Sequence, residues 1–113
     1  MVIPEQDLRR IEEWCLNQSP EESRDAMRVT CTPSRLHVTI SLWDLWPGGS
    51  SSQPGWIEQT FARLRYTASR GEWSIYWMDG NQRWRYYDLF TPGPDINSAL
   101  HCIDRDEVCV FWG

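Results

Sequence analysis

Hydrophobic positions along this chain change their period twice, from helical to alternating and back. Leu8, Ile11, Cys15 and Leu16 recur at three- and four-residue steps, with Arg9, Arg10, Glu12 and Glu13 between them. That spacing gathers apolar side chains on one stripe of a helix, with Trp14 at its margin. Pro4 suits a first helical turn, and Glu5 and Asp7 complement its positive end. Asn17 to Pro20 stop the helix, and the polar stretch from Pro20 to Asp25 reads as a loop. From Ala26 the period becomes two. Met27, Val29 and Cys31 alternate with polar residues, Pro33-Ser34 breaks the run, and Leu36, Val38, Ile40 and Leu42 resume it. Those four are the expected core face, opposite His37, Thr39, Ser41 and Trp43. A hairpin over 26–32 and 35–46 follows.

The richest alternation lies between Trp56 and Phe90. Thr60, Ala62, Leu64 and Tyr66 are spaced by two, as are Trp73, Ile75 and Trp77, and then Trp84 and Tyr86. Breaks fall at Ser69-Arg70-Gly71 and Asp79-Gly80-Asn81, where glycine accepts a positive φ at no steric cost. A three-strand antiparallel meander is predicted. Between the hairpin and the meander, Pro47 to Gly55 is rich in Gly, Ser and Pro and reads as a loop pinned by tryptophans, or as a lid. Beyond the meander, Ile96, Ala99, Leu100 and Ile103 return to helical spacing over 95–103, with Thr91 or Asp95 as the cap. Val108 to Trp112 is too apolar to dangle in water and is expected to pack as an edge strand or against the core. The reading is a single α+β domain over residues 1–113. It has a mostly antiparallel five-stranded meander sheet, an N-terminal helix and a short C-terminal helix.

At 113 residues the chain can bury one core but not a deep enclosed site. Eight Trp, four Tyr and three Phe exceed what that core can hold, so some rings are expected on a groove or interface. All eleven basic residues are Arg, and the formal charge is −5. The acidity lies in the flanks, whereas residues 54–90 carry five arginines against four carboxylates. Net acidity weakens a nucleic-acid reading without removing a local basic patch. No stretch approaches the length of a membrane span, and MVIPEQDLRR has no apolar secretion core, so a cytoplasmic location is the expectation. Cysteines 15, 31, 102 and 109 form no C-x-x-C pair, so thiols are expected, with no metal site and no cofactor.

Sheet parity supplies the candidate site. Arg63 and Arg65 share one face of their strand, Arg83, Arg85 and Tyr87 one face of theirs, and Tyr76 joins them if Trp73, Ile75 and Trp77 are buried. Guanidinium forks match carboxylates or phosphates, and tyrosine rings offer flat stacking surfaces. An acidic protein segment is the leading ligand, single-stranded nucleic acid a less favoured one. The same side chains would equally clothe a solvated face, or lie under the N-terminal helix with Glu12, Glu13 and Glu58 paired to the arginines. An enzymatic alternative, a small hydrolase or nuclease, rests on His101 with Asp104, spaced i,i+3 on a helix; that spacing more often makes a helix-end hydrogen bond. Surplus aromatics and the apolar tail also suit a homodimer seam.

Five short patterns carry a resemblance. They are Ala62-x-x-Arg65-Tyr66-Thr67, Trp73-x-x-Tyr76-Trp77, Arg83-Trp84-x-x-Tyr87, Ile103-Asp104-x-Asp106 and the ending Phe111-Trp112-Gly113. In this order the chain resembles a small bacterial domain-of-unknown-function family, the one numbered 3024, over nearly its whole length and more loosely before residue 55. The resemblance implies a small stand-alone cytoplasmic domain and lends no activity, cofactor or catalytic residue.

Overall fold

The computed structural model describes residues 3–18, 27–46, 55–106 and 111. Helix α1 (Glu5–Gln18) precedes strands β1 (Met27–Ser34), β2 (His37–Trp46), β3 (Gly55–Thr67), β4 (Glu72–Met78) and β5 (Trp84–Tyr86), and helix α2 (Ile96–Arg105) follows them. The strands form one sheet in the order β1-β2-β3-β4-β5, and every neighbouring pair is antiparallel. This is the α+β meander that the periodicity predicts. The loops expected at 20–25 and 47–54, and the tail other than Phe111, lie outside the described residues.

Both helices pack on the same face of the sheet. Ile11, Trp14 and Cys15 of α1 and Ile96, Ala99, Leu100 and Ile103 of α2 join Val29, Val38, Ile40, Ala62, Leu64, Trp73 and Ile75 in one buried cluster. Trp73 is fully buried, and its indole N–H donates to Asp7 Oδ2 at 2.9 Å, which ties β4 to the first turn of α1. Trp14 is central to the helix stripe rather than marginal: it is buried, and its Nε1–H lies 3.0 and 3.1 Å from the two oxygens of Asp104 on α2. Leu16, expected in the stripe, is exposed instead. The Cys15 thiol donates to the Val29 carbonyl at 3.3 Å, and Cys15 and Cys31 are free thiols.

Helix α2 begins one residue after Asp95, whose carboxylate accepts from the Asn97 N–H at 3.0 Å and from the Ser98 hydroxyl at 3.1 Å. Of the two candidate caps, Asp95 is the one used, because its extended backbone turns its carboxylate onto otherwise orphaned donors. The helix runs to Arg105, and Asp106 ends it in the left-handed region at φ 42°. Asp106 Oδ1 then accepts from the N–H of Phe111, whose buried ring lies 4.9 Å from that of Tyr87.

Three local features decide which side chain meets which face. First, β1 continues through Pro33 and Ser34, and the turn falls at Arg35-Leu36 with Arg35 at φ 52°. Pro33 is tolerated because β1 is an edge strand and only one side of its backbone is paired. Second, β3 carries a bulge. Ile40 faces Ala62 but Ser41 faces Thr60, so Phe61 is an extra residue and both Phe61 and Ala62 are buried. Thr60 therefore does not share a face with Ala62, Leu64 and Tyr66 as strict alternation predicts. Trp56, Glu58 and Thr60 fall instead on the face of Arg63 and Arg65.

Third, the β4–β5 connection spans residues 79–83 and pairs Met78 with Trp84 and Tyr76 with Tyr86. Asp79 organises it: Oδ1 accepts from the N–H groups of Asn81 and Arg83, both at 2.9 Å, and Oδ2 from Arg85 Nε at 2.7 Å. The positive φ sits at Gln82 (60°), not at Gly80. A connection one residue longer or shorter would reverse every side chain of β5.

Candidate functional site

The face without helices is built from β1 to β5 by residues of alternating parity. Register places Arg28, Thr30 and Thr32 of β1 beside Trp43, Ser41 and Thr39 of β2. Across β2–β3, His37 stands opposite Arg65, Thr39 opposite Arg63, Ser41 opposite Thr60 and Trp43 opposite Glu58. Arg63 then pairs with Tyr76 and Arg65 with Ser74 on β4, and Tyr76 and Met78 meet Tyr86 and Trp84 on β5.

Of the six residues that parity nominated, Arg63, Arg65 and Tyr76 share this face. Arg83, Arg85 and Tyr87 do not join them. Arg85 lies opposite Trp77, on the helix side of the sheet, and its guanidinium pairs with Asp79. Arg83 is exposed beside the turn, with its backbone N–H on Asp79. Tyr87 is buried, with its ring against Phe111 and its N–H on the Ile75 carbonyl at 2.9 Å. The reason is that the five-residue connection keeps Trp84 and Tyr86 in phase with Tyr76 and Met78, whereas reading those two aromatics as core placed Arg83, Arg85 and Tyr87 there. In their place stand Trp84 and Tyr86, which alternation alone had put inside. Helix coverage through Glu12 and Glu13 is also corrected, since α1 lies on the opposite face with Ile11, Trp14 and Cys15 inward.

Arg63 is the centre of the arrangement. Its guanidinium carbon lies 4.3 Å from the centroid of the Trp84 ring, and its Nε donates to Thr39 Oγ1 at 3.4 Å. Stacking a guanidinium on an indole contributes about 0.5–2 kcal/mol, more as water is excluded. Tyr76 meets Tyr86 edge to face at 5.5 Å, which closes an aromatic floor beside the cation. Arg9, Arg10 and Arg85 each form an ion pair with a carboxylate. Arg63 and Arg65 form none among the described residues. Burial holds the Arg63 guanidinium below its usual pKa, and an arginine side chain keeps its charge in proteins. His37 stands beside them with its imidazole shifted below the ordinary value, first by burial and then by the charges of Arg63 and Arg65.

A second arginine–tryptophan stack occupies the other end of the face. The Arg28 guanidinium carbon lies 4.4 Å from the Trp56 centroid, and Trp43 Nε1–H donates to Thr30 Oγ1 at 2.8 Å. These four residues line a shallow, mainly apolar cleft of about 240 Å³. Sequence reasoning missed this end because the bulge at Phe61 hides the parity of Trp56. The alternations of Arg28 with Met27 and Val29, and of Trp43 with Leu42, were the legible signals.

The enzymatic candidates are held apart from this face. His101 is exposed on α2, and both oxygens of Asp104 receive the Trp14 indole N–H. Asp104 is thus a helix–helix tether. Among the described residues no three His, Cys, Asp or Glu side chains converge as they would around a metal ion. A cleft of about 500 Å³ opens where β3 outruns β4; Glu58, Asp79 and Phe111 line it, with no Arg or His among its described lining. Among the described residues no helix is long and apolar enough to cross a membrane.

The family model for a domain of unknown function (DUF3024) matches residues 2–113, and the chain belongs to that family. No curated protein and no solved structure matches it.

Proposed function

We propose that the helix-free face is a recognition surface for an acidic, extended segment of a partner protein. Arg63 carries this reading. It is a partly desolvated guanidinium stacked on Trp84, and neither it nor Arg65 meets a carboxylate among the described residues. A charge held on the sheet without a counter-ion has donors left for one, and carboxylate fits the guanidinium fork. A hydrogen bond to a charged group contributes about 1.5–3 kcal/mol net, so two arginines suffice for a selective, reversible contact. The Trp43–Trp56 cleft supports an apolar or aromatic anchor within the same segment. Along β3, Trp56 and Arg63 are about 20 Å apart at roughly 3.3 Å per residue, so a segment of about seven residues reaches both ends.

An aspartate-rich peptide with one aromatic residue, titrated while tryptophan fluorescence is followed, tests the reading. Arg63→Ala with Arg65→Ala is expected to weaken binding at least about tenfold, the equivalent of 1.4 kcal/mol. Arg83→Ala, away from the cluster, should change it little. An oligothymidine arm separates the chemistries. Tighter binding there, with affinity falling steeply as salt rises, would transfer the face to single-stranded nucleic acid. Equal binding by wild type and the double variant would remove the arginines from the site.

A further inference from the structure

The surface reading rests on two arginines, and a third group faces the same spot. His37 is directly opposite Arg65 in the β2–β3 register, and the next residue on its face, Thr39, is opposite Arg63 and accepts its Nε–H. Opposed residues of an antiparallel pair hold their Cβ atoms about 4.5–5.5 Å apart, so one carboxylate can touch an imidazole and a guanidinium together. We propose that His37, Arg63 and Arg65 form a proton-coupled carboxylate site, in which seating an acidic side chain of the partner draws a proton onto the His37 imidazole. This deepens the acidic-segment reading and depends on it.

Among the described residues, the groups around His37 leave the ligand as the source of negative charge. From β3 it faces Arg63 and Arg65. From β1 it faces Ser34 directly and Thr32 diagonally, and Arg35 follows in the turn. On β4, beyond Arg65, lie Ser74 and then Glu72, which pairs with Thr67 one step further along. Both helices pack on the other face, so α1 and α2 present no carboxylate to the imidazole. In the free protein partial burial, and after it the charges of Arg63 and Arg65, favour the neutral ring. A carboxylate reverses the sign of the nearest charge and favours the imidazolium. By linkage, whatever the ligand adds to proton affinity, the proton adds to ligand affinity. The charged imidazole then donates from both ring nitrogens, a third donor beside the two guanidinium forks.

An N-acetylated octa-aspartate peptide is a suitable probe, because its carboxylates stay ionised between pH 5.5 and 7.5 and it has no amine to titrate there. Its affinity for the full chain is measured at three pH values and constant ionic strength. Wild type is expected to bind about five- to tenfold more tightly at pH 5.5 than at 7.5, the gain from one group whose pKa rises by about one unit on binding. His37→Gln loses the gain, whereas His101→Gln, on α2, keeps it. In the unsubstituted protein, NMR titration should move the His37 midpoint upward when peptide is present. Binding that is flat with pH, or an identical gain in His37→Gln, overturns the proton coupling and leaves the acidic-segment reading standing. No binding at any pH, with the spectrum of a folded protein, removes both.

Discussion

The two faces of this sheet use the same residue types for opposite ends. On the helix side, Trp73 is buried and its indole N–H is satisfied by Asp7, while Trp14 is buried and donates to Asp104. On the other side, Trp84 and Trp56 each lie under a guanidinium, and Trp56 and Tyr86 remain open to water. Inside, tryptophan supplies buried area and one directed hydrogen bond. Outside, its ring lies against an arginine guanidinium. An acidic chain can therefore keep a small cationic surface on its sheet, because the acidic residues of its helices lie on the far side.

The sharpest way to break that comparison is to truncate one tryptophan on each face. Trp73→Ala should cost about 3–5 kcal/mol in chemical denaturation, as buried aromatics do. Trp84→Ala should cost about 0.5–2 kcal/mol, the worth of a half-buried cation–π stack, while lowering affinity for the acidic peptide. Similar stability losses for the two would mean that both faces are core. An intermediate effect is expected at the helix seam: Asp104→Ala removes both acceptors of the Trp14 indole and should cost about 1–2 kcal/mol by the same measurement. If His101 and Asp104 worked as a catalytic pair, that substitution would abolish an activity without touching stability.

The order of elements was legible in the sequence because alternation and helical spacing are local properties. The stripe Ile96, Ala99, Leu100, Ile103 and the alternation Trp73, Ile75, Trp77 each survive in the structure unchanged. The candidate site was legible in half, for a reason that is also physical. Face membership is carried along a strand by counting in twos, and one uncounted residue reverses it. The bulge at Phe61 is such a residue, and it brings Trp56 to the arginine face. The five residues from Asp79 to Arg83 keep the count, so there it was residue type that misled: Trp84 and Tyr86 read as core but lie on the face of Tyr76 and Met78. The bulge leaves no mark in local composition, and the turn's positive φ falls on Gln82 while Gly80 sits two residues away. Gln82→Gly should therefore stabilise the protein by a few tenths to about 1 kcal/mol, by relieving a left-handed conformation that a side chain disfavours. A loss of stability would mean that the Gln82 side chain makes contacts worth more than that relief.

The smallest expected effect compares acid sensitivity at two points of the sheet. Asp79 has its carboxyl held below the ordinary value of 3.8, chiefly by the Arg83 N–H and then by Arg85. A depressed pKa means that the unfolded chain binds the proton more readily, so this contribution is present above pH 3.8 and is lost as pH falls through the lowered value. His37 is also depressed, from 6.5, so its contribution is present above pH 6.5 and declines as the pH drops further. The sign is the same in both cases, but the causes differ. Asp79 is held down by partners that stabilise its charge, His37 by burial and by neighbours that repel its charge. Arg63→Ala with Arg65→Ala should therefore raise the His37 midpoint seen by NMR, yet leave it below 6.5, because burial is the larger cause and remains. Asp79→Asn should remove the acid-limb decline and leave His37 untouched. A His37 midpoint that ignores the two arginines would show that they do not share its electrostatic field, and the helix-free face would then hold separate cations instead of one cluster.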